Sequence, residues 1–279
     1  MQDAECIEFL RWVLPRLRRR WQGFRKVRRT TCKRVTRRLQ ELNLPGAQAY
    51  REFLERNTSE WSVLDALLPI TISSFYRDKT VFDFLGRTVL KEIAEEAAGR
   101  ENMLRAWSIG CASGEEPYTL MLAWRFGVYP SFPGMDLRIL ATDVDGAVLD
   151  RARAACYSIG SLRQLPATWR EQAFTRDADR HCLRAEYRTG VDFSLEDIRL
   201  ALPPELFQLI LCRNLVFTYF DEFLQRQTLE RILTRLRPGG ALVIGRRETL
   251  PSLAKLTAWS EDLGIFRKLP SRNDRRNRT

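Results

Sequence analysis

The chain has a single histidine, His181, among 279 residues. One imidazole excludes a multi-histidine metal site and argues against a histidine-centred hydrolase. Its six cysteines (Cys6, Cys32, Cys111, Cys156, Cys182 and Cys212) form no CxxC pair. That argues against a zinc site and suits a reducing cytoplasm, so no metal is expected. No apolar run approaches the roughly 20 residues that a membrane span needs. The first 20 residues turn basic where a signal peptide would be apolar, so a cytoplasmic protein without membrane insertion is expected.

Acid is also missing from residues 16–38, which hold twelve Lys and Arg. Residues 267–279 add a net charge of +5, so the remainder of this +11 chain is net negative. The basic character therefore belongs to two segments. The first reads either as a solvated helix face or as a surface for an acidic partner, because twelve like charges repel one another. The partner reading is the stronger of the two.

What is present centres on Leu104 to Tyr118, LRAWSIGCASGEEPY. An apolar strand ends at Gly110, small residues follow, and Glu115-Glu116-Pro117 open a helical pattern. Small residues there let a ligand approach the backbone closely. Ala112 stands where a dinucleotide turn usually has its second glycine. Glu115 and Glu116 occupy a helix start where a phosphate binder would present bare N–H groups. They either favour the helix dipole or meet a cationic or neutral ligand. S-Adenosylmethionine, with its sulfonium and ammonium groups, fits the second reading.

Residues 1–68 read as helical, with Pro15 interrupting the first helix, Val27, Thr31, Val35 and Leu39 on one face, and Ser59 as an N-cap. The break between domains is placed near Pro69 to Ser74, giving a helical domain over 1–70 and a second domain over 71–279. Asp78 is a candidate cap for the following helix. LRILATDVD is a second strand. Asp143 ends it where a ribose diol is gripped in dinucleotide folds, and Asp145 is an alternative cap for the next helix. Residues 157–190 break the α/β rhythm as a short helix and a hairpin. FQLILCRNL is a buried strand, DEFLQRQTLERILTRL a helix stopped by RPGG, ALVIG a strand, SLAKLTAW a helix, and GIFRKL a last strand before a basic tail over 270–279. Alternating strands and helices imply an α/β fold with a mostly parallel sheet.

Taken together, ITISSFYRD, WSIGCASGEEPYTL, ATDVD, LCRNLVFTYFD and RPGGALVIG-x-x-E resemble, in order, the motifs of the CheR family, the chemotaxis-receptor protein-glutamate O-methyltransferases. The resemblance implies a class I, Rossmann-like S-adenosylmethionine-dependent methyltransferase core. It also implies a small helical N-terminal domain and a small β-subdomain, for which 157–190 is the candidate. It implies that Thr71, Ser73, Arg77, Gly110, Glu116, Asp143, Asp197, Ile198, Asn214 and Leu215 contact the cofactor. Glu116 would meet the methionine ammonium and Asp143 the ribose hydroxyls. Asp197 and Ile198 would lie beside the adenine, with Asp197 in place of a usual asparagine. Arg77 and Tyr219 are the candidate catalytic residues. The acceptor implied is an acidic helical protein such as a chemoreceptor cytoplasmic domain.

Three departures fall on the acceptor side as much as on the cofactor side. Four residues separate Asn214 from Tyr219 where the family usually has three, Arg246-Arg247 replaces a frequent His-Ser, and the N-terminal basic helix is unusually dense. Methyl transfer to an already ionised carboxylate needs no general base, in keeping with the scarcity of histidine. Two alternatives stay open: a methyltransferase for nucleic acid or a small molecule, and a non-catalytic cofactor-binding module. Against the first, the strand ending CRN lacks the prolines of amino-methylating DNA enzymes.

Overall fold

The computed structural model describes residues 2–70, 73–252 and 255–270. They fall into two units, Met1–Thr71 with Leu215–Gln227, and Ile72–Asn214 with Thr228–Thr279.

The first unit is helical. In α1 (Asp3–Arg16), Cys6, Phe9, Leu10, Val13 and Leu14 are buried at helical spacing. Pro15 lies in its last turn, so the expected interruption coincides with the helix end. A short α2 (Trp21–Phe24) leads to α3 (Arg28–Glu41), which buries Thr31, Cys32, Val35 and Leu39. Next come α4 (Ala47–Arg56) and α5 (Thr58–Leu67). Asn57, not Ser59, holds the N-cap position of α5, because the helix begins one residue before Ser59. Glu60 is buried and accepts two hydrogen bonds from Arg38, at 2.9 and 2.8 Å, and one from the Tyr50 hydroxyl at 2.7 Å. A buried carboxylate is tolerated because its charge is matched and its oxygens are bonded. Arg19 and Asp65 form a second buried pair at 2.6 Å. The late segment joins this unit by close backbone approach. A Cβ on Gly23 would meet the Thr218 carbonyl oxygen at 2.2 Å, and Arg20 Nε donates to that same oxygen at 3.1 Å.

The second unit starts with α6 (Lys79–Phe84) and α7 (Leu90–Ala97), joined by a π-turn at Leu85–Val89. β1 (Met103–Ile109), α8 (Glu115–Ala123), β2 (Asp136–Asp143) and α9 (Gly146–Ala154) follow. Then come β3 (Cys156–Ser158), α10 (Ala167–Ala173), β4 (Phe174–Asp177), β5 (Arg180–Leu183) and α11 (Ala185–Arg188). β6 (Val191–Leu195) and β7 (Phe207–Leu211) precede α12 (Val216–Tyr219) of the helical unit. The chain closes with α13 (Glu222–Arg235), β8 (Leu236–Val243), β9 (Leu256–Ser260) and β10 (Ile265–Lys268).

Seven strands form one sheet in the order β6-β2-β1-β7-β8-β10-β9. It is parallel from β6 to β8, while β10 runs antiparallel to both its neighbours. From β1 the chain moves outward to β2 and β6, then returns to β7 on the other side of β1. Such a reversal opens a crevice at the carboxyl ends of the strands, where α/β folds bind ligands. Leu104, Ala106, Ile139, Leu209 and Val243 from the sheet, with Leu120, Trp124 and Val89 from the helical segments, make the core. β3, β5 and β4 form a separate three-stranded sheet.

Four local expectations are corrected. Residues 256–259, read as part of a helix, belong to β9 (Leu256–Ser260); Leu253 and Ala254 of that reading lie outside the described residues. The ladder Leu256↔Lys268, Thr257↔Arg267 and Ala258↔Phe266 supplies partners that local pattern cannot show. The Arg237–Gly240 turn is the start of β8, and α13 has already ended at Arg235. Gly240 is required there because a Cβ would meet the Gln208 carbonyl oxygen of β7 at 2.8 Å. Asp78 holds the N-cap position of α6, but its side chain makes no cap bond and turns to Arg213 instead. The cysteines are not six separate thiols: Cys6 is bonded to Cys32 and Cys156 to Cys182, each pair 26 residues apart, while Cys111 and Cys212 are free and buried. Among the described residues, no helix is long and apolar enough to cross a membrane, and no group of His, Cys, Asp or Glu could hold a metal ion.

Candidate active site

The turn after β1 is built around left-handed backbone. Gly110 (φ 71°), Ala112 (φ 52°) and Gly114 (φ 88°) all adopt it. At Gly114 the reason is spatial too: a Cβ would meet Ala152 at 3.0 Å and Tyr118 at 3.1 Å. Ala112 takes the conformation without being glycine, at some cost. Its N–H is thereby aimed at Asp143 Oδ2, 2.9 Å away. Asp145 N–H donates to Asp143 Oδ1 at 3.1 Å. Asp145 itself caps α9, accepting from Ala147 N–H at 2.9 Å and from Val148 N–H at 3.4 Å. The two acids at the end of β2 therefore divide the roles that the sequence left open: Asp145 caps, and Asp143 faces the turn.

Glu115 and Glu116 begin α8, and they differ. Glu116 is held at both oxygens: Ser108 Oγ donates to Oε1 at 2.8 Å and Arg213 Nη1 to Oε2 at 3.0 Å. Glu115 is buried, and its Oε2 has no hydrogen-bond partner. Burial pushes its carboxyl above the usual range, against the opposing effect of backbone and Ser73 hydrogen bonds. Burial likewise raises Asp143, opposed by its backbone N–H donors. The Cys111 thiol is pushed well up by burial and then by Asp143 and Glu116, so it is no nucleophile at neutral pH.

The junction segment is anchored to α8 and to Ser161. Tyr76 N–H donates to Thr119 Oγ1 at 3.0 Å, and Phe75 N–H to the Ser161 carbonyl at 3.0 Å. Arg77 is half-buried between two left-handed residues, Tyr76 (φ 57°) and Asp78 (φ 61°), and its carbonyl accepts from Arg213 Nη2 at 3.3 Å. Strained backbone of this kind persists where surrounding structure over-determines it.

On the far side of β2, Glu196 N–H bonds the Asp143 carbonyl, which carries Asp197 to the same sheet edge. The Asp197 carboxylate is clasped by the Arg199 guanidinium, with Nε at 3.0 Å and Nη2 at 2.7 Å. Arg231 holds the carbonyls of Ile198 and Arg199 at 3.1 and 2.7 Å. Asn214 is left-handed (φ 57°), and its N–H donates to Glu248 Oε2 at 2.9 Å. This explains the acid that ends the RPGGALVIG-x-x-E motif. Leu215 and Tyr219 belong to the helical unit, where Tyr219 packs on Phe24 with ring centroids 4.8 Å apart. Thr71 lies outside the described residues.

The second unit thus brings Ser73, Arg77, Gly110, Glu116, Asp143, Asp197, Ile198 and Asn214 to the carboxyl ends of its strands and the segments joined to them. Arg213, Ser108 and Arg199 complete the set and were not singled out by sequence. The signal for Arg213 was an arginine just past a buried strand, where an unpaired charge would be untenable. A turn flanked by three carboxylates, one with an unpartnered buried oxygen, fits a ligand that carries both hydroxyls and positive charge.

A family model described as "CheR methyltransferase, SAM binding domain" matches residues 71–262. A 104.1 kDa protein of Rhodobacter capsulatus is 31% identical over 226 residues, 79% of this chain and 23% of that protein. A chemotaxis protein methyltransferase of Listeria monocytogenes is 32% identical over 204 residues, 72% of this chain and 75% of its own length. The corresponding protein of Salmonella typhimurium is 31% identical over 232 residues, 80% and 76% of the two chains. With the reversed parallel sheet and the acid-lined turn already in view, these matches establish that the chain belongs to the CheR methyltransferase family and takes S-adenosyl-L-methionine as its cofactor.

Proposed function

We propose that the chain transfers a methyl group to glutamate side chains of an acidic, helical protein, of the kind a chemoreceptor presents in its cytoplasmic part. The observation that carries this reading is Arg77, set between two left-handed residues on a segment bonded to α8, the helix that the acids Glu115 and Glu116 open. When bound, the cofactor supplies an electrophilic methyl group on a sulfonium. Glu116 meets its ammonium and Asp143 its ribose hydroxyls. Asp197 and Ile198 flank the adenine, with Ser73, Gly110 and Asn214 completing the contacts. Arg77 holds the acceptor carboxylate by a charged fork. That carboxylate is ionised at neutral pH, with a pKa of about 4.3, so no base is required. Support comes from the names of the Listeria and Salmonella relatives.

The acceptor surface follows from charge. Several of the twelve basic residues of 16–38 are committed within the helical unit: Arg19 to Asp65, Arg20 to carbonyls of 217 and 218, Arg34 to carbonyls of 67 and 69, and Arg38 to Glu60. Arg25, Lys26, Arg29 and Lys33 are exposed. On α3, Arg29, Lys33 and Arg37 are spaced by four and share one face. The proposal is that this stripe docks acidic helices. The deciding experiment gives radiolabelled cofactor to the full chain with an acidic helical receptor fragment, then treats the product with base. Release of methanol supports a glutamate ester; base-stable label on any acceptor overturns it.

A further inference from the structure

Arg213 joins Glu116, in the first turn of α8, to Asp78 beside Arg77 by ion pairs. It ends the apolar run of β7 with its side chain 2% exposed. Nη1 donates to Glu116 Oε2 at 3.0 Å, and Nη2 donates to Asp78 Oδ2 at 2.6 Å and to the Arg77 carbonyl at 3.3 Å. Its guanidinium also sits 5.2 Å from the Phe82 ring centroid, against a face that favours a cation. Ser108 holds the other oxygen of Glu116. The Glu116 carboxylate is thus fixed from both sides before any ligand arrives.

The charges decide what this arrangement does. Asp78 and Glu116 bring two negative charges and Arg213 one positive charge, so the cluster is net negative by one. A single buried arginine cannot neutralise both acids, and a cationic group approaching Glu116 completes the balance. Fixing the carboxylate beforehand reduces the side-chain ordering that binding must otherwise supply. The same guanidinium bonds the Arg77 carbonyl and the Asp78 side chain, so the residue that orients Glu116 also braces the segment carrying Arg77.

We infer that Arg213 is a positioning residue that orients Glu116 toward the cofactor's ammonium group and braces the Arg77 segment through Asp78. This rests on the reading of Glu116 as the ammonium's partner. Lysine cannot replace arginine here, because a point charge cannot bond Glu116, Asp78 and a carbonyl in one plane.

The test compares two ligands by calorimetry on the full chain. S-Adenosylhomocysteine carries the ammonium; 5′-methylthioadenosine has the same nucleoside without the amino-acid portion. In Arg213→Lys, affinity for the first should fall about tenfold or more while that for the second stays within about twofold, a selective loss of charged contacts. Equal losses for both ligands, or no loss, overturn the inference by reducing Arg213 to a general structural role. Should that variant fail to fold, Asp78→Asn serves, because asparagine tolerates the left-handed backbone at φ 61°. It must weaken S-adenosylhomocysteine selectively, by about threefold or more on the same scale, and an unchanged ratio overturns the inference. Glu116→Gln separates the two claims. An unchanged ligand ratio in that variant sinks the reading of Glu116, and with it this inference. A collapsed ratio there, with Arg213→Lys unaffected, overturns the inference alone.

Discussion

Asp143, at the end of β2, accepts a hydrogen bond at 2.9 Å from the main-chain N–H of Ala112, which is left-handed at φ 52°. The turn after β1 and the carboxylate after β2 therefore brace each other. Asp143→Ala removes both this bond and the proposed ribose acceptor. It is expected to weaken S-adenosylhomocysteine binding by about 1–3 kcal/mol, the range for lost charged hydrogen bonds. Calorimetry showing unchanged affinity would remove Asp143 from the site.

A pH dependence follows from the same residue. Burial raises its carboxyl in the folded chain, so the protonated form is favoured there. Its contribution to stability is full below the unfolded value and is lost as pH rises through the raised folded value. A ligand that donates hydroxyls to Asp143 prefers the ionised form, so cofactor affinity should climb across that same window. Asp143→Asn should flatten this limb. Titrations that superimpose for the two proteins would assign the dependence to another group.

Arg77 carries the proposed acceptor contact. Arg77→Ala should retain the thermal unfolding profile and lose most turnover, about a hundredfold or more if the fork positions the carboxylate. Arg77→Lys should rescue poorly. Near-normal turnover of the alanine protein at saturating cofactor would reduce Arg77 to a structural part of its strained segment.

The exposed basic face gives a third site of test. Reversing Arg29 and Lys33 to glutamate should raise the acceptor's apparent KM and reduce its sensitivity to salt, with cofactor affinity unchanged. These positions are better choices than Arg28 and Arg38, which pair with Asp3 and Glu60 within the helical unit. A variant with wild-type KM and salt response would mark the stripe as a solvated face. Steep, salt-dependent retention on oligonucleotides without base-labile methylation would instead favour a nucleic-acid acceptor.

Glu60 governs acid stability of the helical unit. Its carboxyl is lowered chiefly by the Arg38 hydrogen bonds, against burial. The stabilisation is present above the ordinary carboxylate range and is lost as pH falls through the depressed folded value. Glu60→Gln should cost about 2 kcal/mol at neutral pH, the scale of hydrogen bonds to a charged group. The difference from wild type should shrink as the pH is lowered in denaturation series. A constant difference down to strongly acidic pH would contradict the assignment.

By itself the sequence determined the elements whose cause is local. The run ending at Gly110, the small residues to Gly114 and the acids opening α8 could be read directly, because strand, turn and helix start each follow from neighbouring residues. The cap at Asp145 and the buried face of α3 were readable for the same reason. Tertiary structure alone decided whatever depends on partners distant along the chain. The Leu256–Trp259 pattern became strand because β10 offered a ladder. Cys156 met Cys182 because β3 and β5 place them opposite each other. Basic residues that composition counted alike were split between buried pairs and an open face by where α3 and α5 bring Glu60 and Arg38 together. Arg213 could be joined to Glu116 and Asp78 only by the fold, which brings residues 97 and 135 positions apart into hydrogen-bond contact. A buried charge has to find opposite charge wherever the sheet places it, and no local pattern records that distance.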